Sequence, residues 1–366
     1  MARSRLHELS ERGVSVWMDS LSREMLETGE LARLMEEDAV VGVTSNPTIF
    51  QKALSEGDWY DDQLRAAGAD IDDPTELFLA LAMEDIRDAC DLMAPVWERT
   101  GGVDGYVSLE VDPTLAYDRD ASFGQAMRFH REVDRKNLYV KIPGTEPGLG
   151  AIEDSIAEGR SINVTLIFGL QRYADVVEAY LRGLERLVAA GGDPGSVISV
   201  ASFFVSRVDT EADRRLEEVG REDLQGRLAI ANAKLAYAHW KEAFSGPRWE
   251  ALAAKGARNQ RCLWASTSTK NPAYRDVLYV EELIGPEVVN TMPAETIRAF
   301  QDHGEVRDTL EKGVEEARAL LDELRAAGVD YDDVVETLER EGVEKFSDSF
   351  RSLLDGIEAK VAAVVR

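Results

Sequence analysis

The stretch NLYVKIPGT, from Asn137 to Thr145, decides how the rest of the chain is read. Leu138, Val140 and Ile142 are apolar, and Pro143-Gly144 ends the run as a strand end would. Lys141 falls inside a segment that reads as buried on both faces. Burying a lysine is costly, because desolvation disfavours the ammonium and pulls its pKa down. The same cost has a use: a neutral amine near pH 7 attacks a ketone and forms a Schiff base. Position alone leaves two readings open, a catalytic amine or an interior lysine paired with a carboxylate.

Seven further apolar runs share this form. They are VSVWMDS from Val14, VVGVTSN from Val40, YVSLEVD from Tyr106, INVTLIF from Ile162, VISVASFF from Val197, CLWAST from Cys262 and VVNTMP from Val288. Amphipathic stretches of helical period separate them: Ser22 to Asp38, Thr75 to Thr100, Asp120 to Asp134, Leu149 to Gly159 and Leu170 to Ala190. Arg207 to Phe244 reads as two helices broken near Val219-Gly220, and Asn271 to Ile284 and Ala294 to His303 complete the series. Near-continuous apolar strands alternating with helices predict a parallel sheet covered on both faces. Eight such units favour a closed (β/α)8 TIM barrel over an open doubly wound sheet.

No linker rich in Gly, Pro or Ser divides the 366 residues, so residues 1–366 are expected to form one barrel domain. Two segments exceed the minimal barrel. Phe50 to Pro74 is an insertion after the second strand, and residues 307–366 form a C-terminal helical extension with patterns at ARALLDEL, DDVVETLE and SFRSLLDGIEAKVAAVV.

Acids outnumber bases 69 to 42, a net charge of −27, which argues against nucleic acid as a partner. A phosphorylated ligand would therefore need a local positive pocket in a repulsive global field. Cys90 and Cys262 each lie in an apolar pattern and suit a reduced compartment. Without a signal-peptide core or a long apolar run, the expected location is cytoplasmic, away from the membrane. The four histidines show no HxH or HExxH spacing and there is no CxxC, so no metal site and no cofactor are expected.

In such barrels the C-terminal strand ends build the site. Read from that end, the runs offer Asp19, then Thr44-Ser45-Asn46, then Glu110 and Asp112, then Lys141, then Asn163 and Thr165. Ser202 and Arg207, Ser266, Thr267 and Lys270, and Asn290 and Thr291 follow. Each has a plainer explanation: Asn46 before Pro47 forms a turn, Asp19 caps a helix, Arg207 pairs with a surface acid. Eight strands all ending in polar groups are harder to explain that way. A Schiff-base lysine needs a group to move protons and a held water. Asp19 and Glu110 are carboxylates on separate strands, free to have different environments. Ser202, Arg207, Ser266 and Lys270 lie on strands six and seven, near where barrels often bind phosphate.

Together the motifs VWMDS, GVTSNPTIF, SLEVDP, LYVKIPGT, INVTLIF, SFFVSRVD and LWASTSTKNP resemble the transaldolases, from about Val14 to Met292. WASTSTKNP and VEELIGPEVVNTMP are similar to the longer bacterial and plant-type members. The resemblance implies a (β/α)8 barrel that needs no cofactor and acts on sugar phosphates, while the sequence leaves monomer or homodimer open. It would move a dihydroxyacetone unit from sedoheptulose 7-phosphate to glyceraldehyde 3-phosphate. It makes Lys141 the Schiff-base nucleophile and Asp19 the acid/base at the cleaved carbon–carbon bond. Glu110 and Thr165 would hold the catalytic water, Asn46 and Asn163 the dihydroxyacetone hydroxyls. Ser202 would contact the substrate, while Arg207 with Ser266 would bind its phosphate. One departure stands out: many transaldolases carry an arginine where this chain has Ser268, and Lys270 is the nearest cation to take its place. Related fructose-6-phosphate aldolases are expected to have Gln and Tyr at Glu110 and Phe204. A non-catalytic sugar-phosphate-binding barrel is the remaining alternative.

Overall fold

The computed structural model describes residues 4–55, 57–68 and 70–364. The eight apolar runs form β1 (Val14–Met18), β2 (Val40–Val43), β3 (Tyr106–Glu110), β4 (Leu138–Pro143), β5 (Ile162–Ile167), β6 (Ser199–Phe204), β7 (Arg261–Ala265) and β8 (Val288–Met292). Each pairs in parallel with the next, and β8 pairs with β1, Val14 against Val288 through Met18 against Met292, to close a (β/α)8 barrel. The strands are buried along almost their whole length, which is why they read as continuous apolar runs rather than alternating ones.

Register sorts the interior into layers. Parallel partners at one level point to the same face, and side chains two apart along a strand share it. Glu110 pairs with Lys141 and Lys141 with Asn163, so the three stand side by side. One step below, toward the N-terminal end, Tyr106 and Tyr139 stack with centroids 4.2 Å apart, and Trp17 lies 6.0 Å from Tyr139. Trp17 explains Gly42 on the neighbouring strand, because a Cβ there would come within 2.5 Å of the indole. Lower still, Arg261 and Asp104 pair at 3.0 Å, and Ser15 donates to Asp104 at 2.8 Å. The barrel is thus filled by aromatic and polar layers beneath a polar mouth.

Several helices depart from the sequence expectation. Ser22 to Asp38 is two helices, Arg23–Glu27 and Glu30–Glu37, because Gly29 takes φ +76° between them. Of Asn271 to Ile284 only Leu278–Glu282 is helical. Ahead of it, Asn271 Oδ1 accepts from the Ala273 N–H and Thr269 Oγ1 donates to the Arg275 and Asp276 carbonyls, holding a turn where helix was expected. Arg207 to Phe244 does split, into Ser206–Glu218 and Leu228–Ala243, with Gly220 at φ +69° in the break. The last two C-terminal patterns are one continuous helix, Tyr331–Val364.

That helix runs over the C-terminal mouth of the barrel. Near its start Glu339 pairs with Arg172 at 3.0 Å, and a Cβ on Gly342 would lie 3.2 Å from Leu166. Farther along, Phe350 meets Phe78 edge-on at 5.8 Å, and Phe78 meets Phe50 at 5.4 Å. Beyond that, Lys360 pairs with Asp61 at 3.1 Å. The insertion after β2, which holds the helices Pro47–Ser55 and Asp61–Ala67, is therefore the bed on which this helix lies. Among the described residues no helix is long and apolar enough to cross a membrane.

Candidate active site

A cavity of about 260 Å³ opens between the barrel mouth and the C-terminal helix. Its floor carries Lys141, whose Nζ lies 3.2 Å from Glu110 Oε2 and 3.3 Å from the Ser45 carbonyl oxygen. The Lys141 and Glu110 side chains are 6% and 2% exposed. Burial raises the Glu110 carboxyl above the usual range, opposed by the Lys141 charge and hydrogen bond. A buried carboxyl raised in this way beside an amine is suited to exchanging protons with it.

Asp19 stands one residue past β1, its N–H bonded to the Met292 carbonyl at 2.9 Å. Thr44 Oγ1 lies 2.8 Å from Asp19 Oδ1 and 2.7 Å from Thr291 Oγ1. Burial pushes the Asp19 carboxyl up, while Lys141, Thr44, Arg207 and Lys270 pull it down in that order. Asp19 does not cap the following helix, because Ser22 does so by accepting from the Met25 N–H at 3.2 Å. The plainer explanation fails for this residue.

On the opposite wall, Ser202 donates to Asn163 Oδ1 at 2.7 Å and Asn163 Nδ2 donates to Ser108 Oγ at 3.1 Å. Thr165 Oγ1 and Glu110 Oε1 are buried and find no hydrogen-bond partner among the described residues. Buried polar atoms are normally satisfied, so each is a place for a water or a ligand group. Asn46 serves two ends: its Oδ1 accepts from the Ile49 N–H at 3.0 Å, opening the helix Pro47–Ser55, and it also lines the cavity.

The far end of the cavity is cationic. Arg207 follows β6 at the start of the helix Ser206–Glu218, with its guanidinium 5.0 Å from the Phe204 ring and 5.8 Å from that of Phe346. Burial holds it below its ordinary pKa, opposed by the charges of Asp19 and Glu110, and no carboxylate among the described residues forms an ion pair with it. Ser266 ends β7 at φ +56° and its Oγ lies 2.9 Å from Ser206 Oγ, tying the two strand ends together. Lys270 Nζ donates to Ser268 Oγ at 2.6 Å. Of the ten residues to which the resemblance gives a role, all but Glu110, Asn163 and Thr165 line this cavity directly; Glu110 and Asn163 flank Lys141 on the neighbouring strands, and Thr165 pairs with Pro143 two residues further along β4.

Three contributors were not singled out from sequence: Ser108, Lys345 and Phe346. Thr44 and Thr291, read from sequence as polar strand ends without a role, position Asp19, and Ser108 follows from strand alternation two residues before Glu110. Phe346, with Lys345 beside it, comes from the C-terminal helix, which the sequence predicts but does not bring to the site.

A closed parallel barrel with a buried lysine and two carboxylates at its C-terminal mouth defines the class of Schiff-base-forming, carbon–carbon bond-processing barrel enzymes. The family model described as transaldolase/fructose-6-phosphate aldolase matches residues 16–357, and the chain belongs to that family. It is 54% identical over 351 residues to the transaldolase of Acidothermus cellulolyticus, covering 95% of this chain and 94% of that protein. The transaldolase of Frankia alni is 52% identical over 356 residues, 96% of each chain. That of Thermobifida fusca is 52% identical over 367 residues, 98% of this chain and 99% of its own.

Proposed function

We infer that the protein is a transaldolase, moving a dihydroxyacetone unit from sedoheptulose 7-phosphate to glyceraldehyde 3-phosphate. The products are erythrose 4-phosphate and fructose 6-phosphate. The observation that carries this reading is the buried Lys141 amine, 3.2 Å from Glu110 and in one cavity with Asp19.

Lys141 Nζ attacks the C2 carbonyl of the ketose, and Glu110 takes up the proton the amine releases. Glu110 then returns a proton to the C2 hydroxyl, which leaves as water, and the Schiff base forms. Thr165 Oγ1 and Glu110 Oε1, both without a partner among the described residues, hold that water. Asp19 removes the proton from the C4 hydroxyl; the C3–C4 bond breaks and its electron pair moves into the protonated Schiff base. The first aldehyde leaves. The three-carbon fragment stays as an enamine, its hydroxyls held by Asn46 and Asn163, and Ser202 steadies Asn163. The acceptor aldehyde is attacked by C3, its new hydroxyl receives the proton from Asp19, and water releases the product from Lys141. Arg207, Ser266 and Lys270 hold the phosphate at the far end of the cavity.

Borohydride reduction with fructose 6-phosphate, followed by peptide mass mapping, tests the reading. A stable mass addition at Lys141 is expected, and a non-catalytic binding barrel would show none. The alternative within the family is an aldolase that frees dihydroxyacetone. Glu110 and Phe204 favour transfer, and free dihydroxyacetone accumulating as fast as transfer product would decide for the aldolase.

A further inference from the structure

We propose that the C-terminal helix completes the phosphate-binding end of the site, with Lys345 as a third cation facing the phosphate and Phe346 positioning Arg207. The inference rests on the proposed use of a phosphorylated ketose. It assigns a substrate-binding residue outside the barrel and a reason for the helix to lie across the mouth.

Lys345 and Phe346 line the same cavity as Lys141, Arg207, Ser266 and Lys270. The Lys345 ammonium is held below its ordinary pKa first by the Arg207 charge, then by burial, then by Lys270. All three cations therefore share one small volume. Neither Arg207 nor Lys345 forms an ion pair with a carboxylate among the described residues, although the chain carries 69 acids to 42 bases. Elsewhere arginines are routinely matched, as Arg128 is with Glu76 and Glu132, or Arg248 with Glu178 and Glu185. Cations brought together and left unmatched repel one another, and a dianion between them removes the repulsion.

The geometry suits a phosphate monoester rather than a carboxylate. Arg207 presents a planar fork, Ser266 and Ser268 offer hydroxyls, and two mobile ammonium groups can each meet a separate oxygen. Phe346 is 3% exposed and shares the Arg207 guanidinium with Phe204, so the fork is held between two rings before ligand arrives. Lys345, the preceding residue and an exposed one, reaches in from the rim. The phosphate would be gripped from β6, from the loop after β7 and from the helix.

The test compares the full chain with Lys345→Met and Lys345→Arg. Methionine keeps the apolar stem and removes the charge. Binding of inorganic phosphate, measured by calorimetry, is expected to weaken about tenfold in Lys345→Met and to recover in Lys345→Arg. The ratio of kcat/KM for fructose 6-phosphate to that for unphosphorylated fructose is expected to fall by about the same factor, mostly through KM. Unchanged phosphate affinity in Lys345→Met overturns the proposal, and so does an equal loss on both sugars. Failure of the parent protein to be trapped with fructose 6-phosphate would refute the proposed reaction instead, while the phosphate calorimetry still decides the role of Lys345.

Discussion

Replacing Thr44 with valine isolates one interaction in the site. The change keeps the shape of the side chain and the Thr44 N–H bond to Met18, and removes the hydroxyl 2.8 Å from Asp19 Oδ1. A hydrogen bond to an ionised group contributes about 1.5–3 kcal/mol. At about 1.4 kcal/mol per pKa unit, its loss raises the Asp19 carboxyl by a further ~1–2 units. Burial already holds that carboxyl above its usual range, and the Thr44 bond is one of the influences restraining it. In the proposed reaction Asp19 acts on the C4 hydroxyl only when ionised, so kcat is expected to fall as pH drops through its pKa. The acid limb of the kcat–pH profile should therefore move upward by about 1–2 units in Thr44→Val, with the plateau above it largely kept. Thr291→Val leaves the Thr44–Asp19 contact in place and should move the limb less. A lowered plateau with an unmoved limb would refute the reasoning, because Thr44 would then act on something other than Asp19 ionisation.

Two further outcomes follow from buried groups. Asp209, which accepts from the Ala229 N–H at 2.7 Å and Tyr279 Oη at 2.8 Å, is pushed up to about 7, chiefly by burial. The folded value lies above the unfolded one, so this group's stabilisation is full below the usual carboxylate range and is lost as pH rises through about 7. Asp209→Asn should remove that part of the pH dependence, changing the stability gap to the parent by up to ~1.4 kcal/mol per pH unit in urea titrations between pH 5 and 7; parallel curves would count against it. Phe350→Ala removes a ring that is 4% exposed and packed edge-on against Phe78, and should cost about 3–5 kcal/mol of stability. A loss below ~1 kcal/mol would mean the helix is held mainly by its polar contacts.

The strands were legible because both their faces are buried, leaving unbroken apolar runs whose polar ends stand out. Lys141 is the clearest case: a charged residue inside such a run had to be paired or useful, and beside Glu110 it is paired. The helices were less legible where local chemistry competed with the period. Gly29 interrupts a pattern that runs on through it, and Asn271 and Thr269 bond to nearby backbone where apolar spacing suggested a helix. Lys345 and Phe346 could not be placed at all. Their meeting with Arg207 depends on where a helix more than 100 positions downstream comes to rest, which no local pattern encodes.

The seam between β1 and β8 has a consequence for assembly. Asp19 donates its backbone N–H to the Met292 carbonyl, and Thr44 reaches it beside Thr291, so the proposed acid/base residue is held by the last strand of the chain. Lys141, Glu110 and Asn163, by contrast, lie on neighbouring strands of one continuous stretch. Under the proposed roles, the neighbours of Lys141 need only β3, β4 and β5, whereas carbon–carbon cleavage needs the closed ring. Catalysis would thereby depend on the joining of the barrel's two ends and not only on the growth of its sheet.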